Sequence, residues 1–186
     1  MRFAALVLVL VSVPTLADVV KLNGVDADVK ITKRIGGGAE GTLQADVEIP
    51  VGSVKLPLKA KSKVTWLEKS GTLSGAERLG GEVTFTVGGQ PYKLPPESSV
   101  RLWEDGTPSL LTFAFGSKAT VKVAGVEVEA IDIAFDAKGT PLVVRTAAAT
   151  TKLTIDGSEQ KLKRATPLYV SADLSSASLV KPAGTK

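Results

Sequence analysis

The chain has 186 residues, a formal net charge of +4 at pH 7, and neither cysteine nor histidine. Without these two residue types a Ser–His–Asp or Cys–His nucleophile cannot form, and zinc sites built on imidazole or thiolate are excluded. The mild positive charge falls short of the one-signed excess typical of nucleic-acid-binding proteins, so we expect no nucleic-acid partner. Abundant Val and Thr with regularly placed Gly favour an all-β fold.

The first 17 residues have the pattern of a secretory signal peptide. Arg2 supplies a positive charge, residues 3–13 are apolar apart from Ser12, and the segment ends at Ala17 in a small-x-small tripeptide. This pattern predicts cleavage near Ala17 and a periplasmic or extracellular location; the alternative is a buried N-terminal strand or helix. The apolar run is shorter than the about 20 residues that a membrane-spanning helix needs, and no later segment is longer and as apolar.

Two alternating glycine signals indicate an internal repeat in residues 18–174, which we expect to form a single domain. The first is the dipeptide Gly-Thr, with spacings of 30, 35 and 33 residues, at Gly41, Gly71, Gly106 and Gly139. A fifth position, without the glycine, fits at Asp173-Leu174. The second signal is a short run of residues that ends in Gly24, Gly52, Gly88, Gly125 and Gly157. A period of about 34 residues therefore predicts about five units, each with two glycine turns between strands.

Alternation of apolar and polar residues predicts the strands themselves, because period two places apolar side chains on one face. The predicted strands lie near residues 19–23, 27–34, 42–50, 52–60, 63–68, 82–88, 99–104, 109–116, 118–124, 126–135, 141–147, 151–156, 159–163 and 167–172. Short connections predict an antiparallel meander of hairpins, curled into an open trough, a two-layer sandwich or an up-and-down barrel. Gly36, Gly37 and Gly38 are expected at a hairpin tip, and residues 175–186 are expected to fray.

The glycine turns also carry a resemblance. In residues 100–108 and 131–141 a strand is followed by Asp-Gly-Thr or Lys-Gly-Thr and then by another strand. Over residues 47–173 this pattern resembles hairpin repeats in uncharacterised bacterial secreted proteins. It is also loosely similar to MORN repeats, although their repeated Tyr-x-Gly and aromatic pattern is missing here. Neither resemblance implies a functional residue.

Carboxylates are the candidates for acid–base chemistry. Glu127 and Glu129 alternate with valines and so share one face, while the apolar positions change sides near Ala130, which predicts a turn or a bulge. We interpret the pair as a solvated face, and the alternative is the carboxylate pair of a glycan hydrolase. Each Asp-Gly turn offers only one or two oxygen ligands, so we predict hairpin turns there and neither a metal site nor a cofactor.

A basic stripe is the main candidate for binding. Lysines alternate with apolar or small residues at Lys55, Lys59, Lys61 and Lys63. On a single strand they would form a row that could bind lipopolysaccharide, phospholipid headgroups or cell-wall polymers. The alternative is an edge strand that lysines protect from aggregation. The cluster Lys161, Lys163 and Arg164 allows the same two interpretations. For Trp66 and Trp103, which precede Gly-Thr turns, we predict core or rim packing.

The sequence therefore predicts an exported, non-enzymatic envelope protein that acts as a binding or structural module. One alternative is a carrier of a lipid-like or anionic envelope ligand, held in a groove of the curled sheet. A second is the glycan hydrolase. A third is an integral outer-membrane barrel, which would need strands of about 9–11 residues and aromatic girdles, whereas most strands predicted here are shorter.

Overall fold

The computed structural model describes residues 17–147, 151–155 and 157–181. The predicted signal peptide lies outside the described residues except for Ala17, as do Asp156 and the end of the tail. The described residues contain no helix, and hence none that could cross a membrane, which confirms the all-β prediction. The strands are β1 Asp18–Leu22, β2 Val25–Ile35, β3 Gly38–Leu43, β4 Val47–Val51, β5 Val54–Leu58, β6 Lys63–Leu67, β7 Leu73–Ala76, β8 Val83–Val87, β9 Gln90–Leu94, β10 Ser99–Leu102, β11 Pro108–Thr112, β12 Ala119–Val123, β13 Val126–Phe135, β14 Pro141–Thr146, β15 Thr151–Ile155, β16 Ser158–Leu162, β17 Pro167–Val170 and β18 Ala177–Ser178.

Twelve of these strands form one antiparallel sheet, here called the main sheet. Its order is β1-β2-β3-β6-β7-β10-β11-β13-β14-β17-β18, and β12 pairs with the first half of β13. Strands that are adjacent in this order are either consecutive in the sequence or separated by only one or two other strands, so the predicted meander is confirmed. The sheet is not closed, which leaves the open trough and the sandwich among the predicted arrangements and excludes the up-and-down barrel. Within the predicted tail, residues 175–186, Ala177–Ser178 form strand β18, which pairs with β17.

Five hairpins form a second layer, here called the hairpin layer. Three of them, β4–β5, β8–β9 and β15–β16, form separate two-stranded sheets. The other two consist of β1 and β12 paired with the first halves of β2 and β13, and they are continuous with the main sheet through the second halves of β2 and β13. Their inward side chains share one hydrophobic core with the main sheet. Tyr92 of β9, for example, packs edge-on against Phe135 of β13, with ring centroids 5.5 Å apart, and its burial raises the pKa of the tyrosine. The hairpins thus cover one face of the main sheet, and we call the other the open face.

The chain passes from the hairpin layer to the main sheet in two ways. In β2 and β13 the strand continues through a shift in register, at residues 31–33 and 130–132. This confirms the irregularity predicted near Ala130 and identifies it as a bulge, because Val128 and Ala130 are buried before it and Ile133 and Phe135 after it. In the other three units the strand is interrupted by corners at residues 59–62, 95–98 and 163–166.

The Gly-Thr signal marks turns in three of its four positions. Gly71, Gly106 and Gly139 have positive φ and lie between consecutive main-sheet strands, as predicted. The prediction is wrong for Gly41, which lies inside β3, where a Cβ atom would collide with a Cγ atom of Val29. Close packing against β2 therefore explains this glycine, and the turn of its unit is formed by residues 36–37, which confirms the predicted hairpin tip.

Each of the first four hairpins ends on the main-sheet turn of the following unit, an arrangement we call the tip-to-turn contact. The Asn23 amide N–H donates to the Gly71 carbonyl at 3.0 Å. A Cβ atom on Gly106 would lie 3.3 Å from Val51, and one on Gly139 would lie 3.0 Å from Val87. The Ala124 amide N–H donates to the Leu174 carbonyl at 2.7 Å, so the fifth predicted position, although it lacks glycine, also receives a hairpin tip.

Candidate functional site: a polar trough on the open face

The open face carries a line of side chains that runs across the strands. Successive cross-strand partners along it are Glu40, Thr65, Gly75, Arg101 and Leu110, from β3, β6, β7, β10 and β11. Cross-strand partners are in contact distance of each other, so these residues form a continuous surface. A depression of about 520 Å³, which we call the trough, lies along this line.

The trough owes its depth to a glycine and its polarity to hydroxyl groups. Gly75 is buried in the floor, and a Cβ atom there would lie 2.9 Å from the Thr65 hydroxyl and 3.7 Å from the Arg101 side chain. Any larger residue would therefore fill the floor. The hydroxyl-bearing residues that line it are Thr65, Ser74, Ser99 and Thr112. This surface can donate and accept several hydrogen bonds at once.

Four charged side chains surround the floor. Lys63 and Glu77 form an exposed ion pair with Nζ and Oε2 4.0 Å apart, which contributes about 0–1 kcal/mol and leaves both groups accessible. No ion pair among the described residues involves Arg101 or Glu40. These two lie three strands apart, or about 14 Å at the usual strand spacing. The trough therefore presents a cation and an anion that a ligand can reach without breaking a strong internal pair.

The line continues beyond Leu110 with a different character. Its next members, Ala134, Val143 and Tyr169, are partly buried and mostly apolar. Beside them Asp132 accepts a hydrogen bond from Arg145 at 2.8 Å. The free charges and hydroxyl groups are therefore concentrated in the part of the open face between β3 and β11.

The predicted lysine row is divided between the two layers. Lys55 lies on β5 in the hairpin layer, Lys59 and Lys61 lie in the corner, and Lys63 lies on β6. The assumption of a single strand is therefore wrong, because β5 ends at Leu58 and the chain then changes layers. Of the four lysines, Lys63 is the one that lines the trough.

The predicted carboxylate pair lies on the outer surface of the hairpin layer, where each member faces a lysine. Glu129 forms an ion pair with Lys118, and Glu127 stands opposite Lys122 on β12. Neither glutamate belongs to the trough. This arrangement is that of a charged surface hairpin, in agreement with the interpretation of a solvated face. As predicted, Trp66 is buried in the core, whereas Trp103 is 40% exposed near the Gly106 turn.

Aspartates in the main-sheet turns bind the backbone of their own turns. Asp105 accepts a hydrogen bond from the Thr107 amide, and Asp136 accepts bonds from the amides of Lys138 and Thr140, all at 2.8 Å. The bond from Thr140 contributes most to lowering the pKa of Asp136. Hydrogen bonds from Ser171 and Ser175 lower the pKa of Asp173 to about 2. The described residues contain no group of three or more acidic side chains that could hold a metal ion.

Sequence patterns did not indicate the trough. Its central strand, β7, falls in a segment for which no strand is predicted, since Leu73-Ser74-Gly75-Ala76 lacks alternation of apolar and polar residues. The available signal was the run of small residues, which is typical of a site where a backbone or a ligand approaches closely. The other lining residues are far apart in sequence and meet only through strand pairing.

The fold and the trough define a class of protein: an all-β repeat protein with two layers, in which hairpins cover one face of an unclosed antiparallel sheet and a polar trough occupies the other. No family model matches the chain, and no curated protein or solved structure matches it either. The resemblance to secreted hairpin-repeat proteins stays a prediction.

Proposed function

We propose that the protein is an exported, non-enzymatic binding module of the cell envelope, and that its ligand surface is the trough. The observation that carries the proposal is the accessible guanidinium of Arg101 beside a hydroxyl-lined floor kept open by Gly75. The N-terminal segment, with its charge, apolar run and small-x-small end, supports export.

The chemistry of the trough favours an anionic polysaccharide as the ligand. Hydroxyl side chains such as those of Thr65 and Ser99 suit the hydroxyl groups of sugars, and Arg101 suits a carboxylate or phosphate, which it can bind through two parallel hydrogen bonds. Lys63 adds a second cation at the rim, where Glu77 pairs with it, and the remaining acid, Glu40, lies about 14 Å from Arg101. Because the trough spans several strands, successive sugars of a polymer can contact successive side chains.

A lipid-like ligand is less well supported by the packing. Lipid pockets are mostly apolar, whereas the apolar face of the main sheet is covered by the hairpin layer. Residues from both layers, including Ile49 and Leu56 in the hairpins and Val64 and Leu73 in the main sheet, are fully buried. An acyl chain could enter this region only by displacing a hairpin.

The test is calorimetric titration of the protein with an acidic polysaccharide such as alginate and with a neutral one such as dextran. We expect binding to alginate that weakens with salt, and a loss of at least tenfold in affinity on Arg101→Glu. Lys55→Glu is the matched control, because Lys55 is an exposed lysine on the opposite layer. Binding that depends on Lys55 and not on Arg101 would place the site on the hairpin layer and refute the trough.

The non-enzymatic part of the proposal has its own assay. Incubation with each polysaccharide should release no reducing ends. Release of reducing ends that disappears in the Glu127→Gln variant would establish the hydrolase alternative instead.

A further inference from the structure

We propose that copies of this protein associate head to tail, with the last hairpin of one copy on the first unit of the next. The partner is a second copy of the chain. The contact would repeat, between molecules, the tip-to-turn contact that joins successive units within the molecule.

Among the described residues, the tip-to-turn contacts leave the first main-sheet turn without a hairpin and the fifth hairpin without a turn. Hairpins one to four end on the turns near Gly71, Gly106, Gly139 and Leu174. The first turn, at residues 36–37, precedes all of these and receives no hairpin from the described residues. A Cβ atom on either glycine of that turn would meet nothing within 4 Å, whereas one on Gly71, Gly106 or Gly139 would meet a hairpin. The fifth hairpin, β15–β16, has no later turn among the described residues.

Apolar side chains are exposed at the two ends of the structure. Val19 and Ile35, in β1 and β2 at one end, are 69% and 61% exposed. Leu179 and Val180, just after β18 at the other end, are 40% and 75% exposed. Strands β1 and β18 are the first and last in the order of the main sheet, and an edge strand has unpaired backbone groups that can pair with another chain.

The two ends of the structure also differ in charge. The first hairpin, residues 18–29, has three aspartates and one lysine, a net charge of −2. The last hairpin, residues 151–162, has two cations and two acids, a net charge of zero, and the corner that follows it adds the cations Lys163 and Arg164. Complementary charge favours contact between unlike ends and opposes contact between like ends. This assigns Lys161 and Lys163 to contact with another copy, whereas Arg164 lies over the Phe115 ring of its own chain, 5.7 Å from the ring centroid.

A contact between unlike ends is open-ended. Since each copy keeps one free end of each kind, further copies can add unless the rotation between them closes a ring. Both layers of the structure would continue from one copy into the next.

The experiment is sedimentation velocity of the exported, purified protein over a range of concentrations, at about 0.05 M and about 0.5 M salt. We expect species that grow beyond the dimer with concentration at low salt and that diminish at high salt. Two charge-reversal pairs test the ends: Lys161→Glu with Lys163→Glu, and Asp26→Lys with Asp28→Lys. Each pair alone should weaken association at least tenfold. An equimolar mixture of the two variants should restore it, because every contact between unlike variants again joins opposite charges.

Lys55→Glu with Lys122→Glu is the control, since both lysines are exposed on central hairpins, and it should leave association unchanged. Circular dichroism checks that every variant is folded. The proposal is overturned by a monomer at all concentrations in low salt, by a dimer that never grows, or by association that the terminal charge reversals do not change.

Discussion

Replacement of Gly71 by alanine tests whether the tip-to-turn contact stabilises the fold. Gly71 has a φ of 68°, and a Cβ atom there would collide with the carbonyl oxygen of Lys21 in the first hairpin. The left-handed conformation costs an alanine about 1–2 kcal/mol. Displacement of the hairpin would also break the bond from the Asn23 amide to the Gly71 carbonyl and the bond from the Leu73 amide to the Asn23 side chain. At about 1 kcal/mol each, these raise the expected loss of stability to about 3–4 kcal/mol.

Gly36→Ala is the matched control for this prediction. Gly36 also lies in a main-sheet turn and has a φ of 55°, but a Cβ atom there meets nothing within 4 Å. Its replacement should therefore cost only the conformational part, about 1–2 kcal/mol. Urea denaturation of both variants measures the difference, which we expect to be about 2 kcal/mol with an unchanged m value. Equal losses in the two variants would show that docking of the hairpin on Gly71 contributes nothing, and the reasoning would be refuted.

Two further predictions concern the core and the turn carboxylates. Leu56→Ala in the hairpin layer should lower the free energy of unfolding by about 2–5 kcal/mol, because Leu56 is fully buried between the layers. The control Val126→Ala, at an exposed position, should change it by less than about 0.5 kcal/mol. A small effect of Leu56→Ala in urea denaturation would contradict the two-layer packing. Asp173, whose pKa is about 2 in the folded chain and about 3.9 when unfolded, stabilises the fold above the higher value and loses this contribution as pH falls toward the lower one. The stability difference between the wild type and Asp173→Asn should accordingly be constant above about pH 5 and shrink on acidification, and a difference that grows below pH about 4 would be inconsistent with the assigned bonds.

Local patterns were sufficient for most strands and most turns, but they predict no strand at β7 or β9 and do not indicate the layers. Period two and glycine spacing predict an antiparallel meander because both are properties of short segments. The same alternation continues from Leu58 through Ser62 to Val64, although the chain leaves the hairpin layer in this segment. The alternation continues because Ser62 is buried at the corner, where its hydroxyl donates to the Arg78 carbonyl. In the sequence, a buried serine at a corner cannot be distinguished from an inward-facing position on a strand, and so the pattern predicts a single strand for the lysines.

The trough could not be predicted from the sequence for a different reason. Its line of residues exists only because of strand register, and a register between strands such as β7 and β10 cannot be read from either strand alone. Gly75 has no alternation to identify it, and Arg101 is one exposed arginine among several. Burial of Gly75 beside an accessible Arg101 became visible only when the strands were paired.

The tip-to-turn contact has a consequence for the order in which the molecule assembles. Asn23 and Gly71, which bond to each other, are 48 residues apart, so a hairpin can close early but cannot dock until the main-sheet turn of the following unit has emerged. A chain that emerges N-terminus first, from a ribosome or an export channel, would therefore carry at least one completed but undocked hairpin as it grows. Progress toward the native state would be stepwise, and each newly emerged turn would fasten the hairpin of the unit before it.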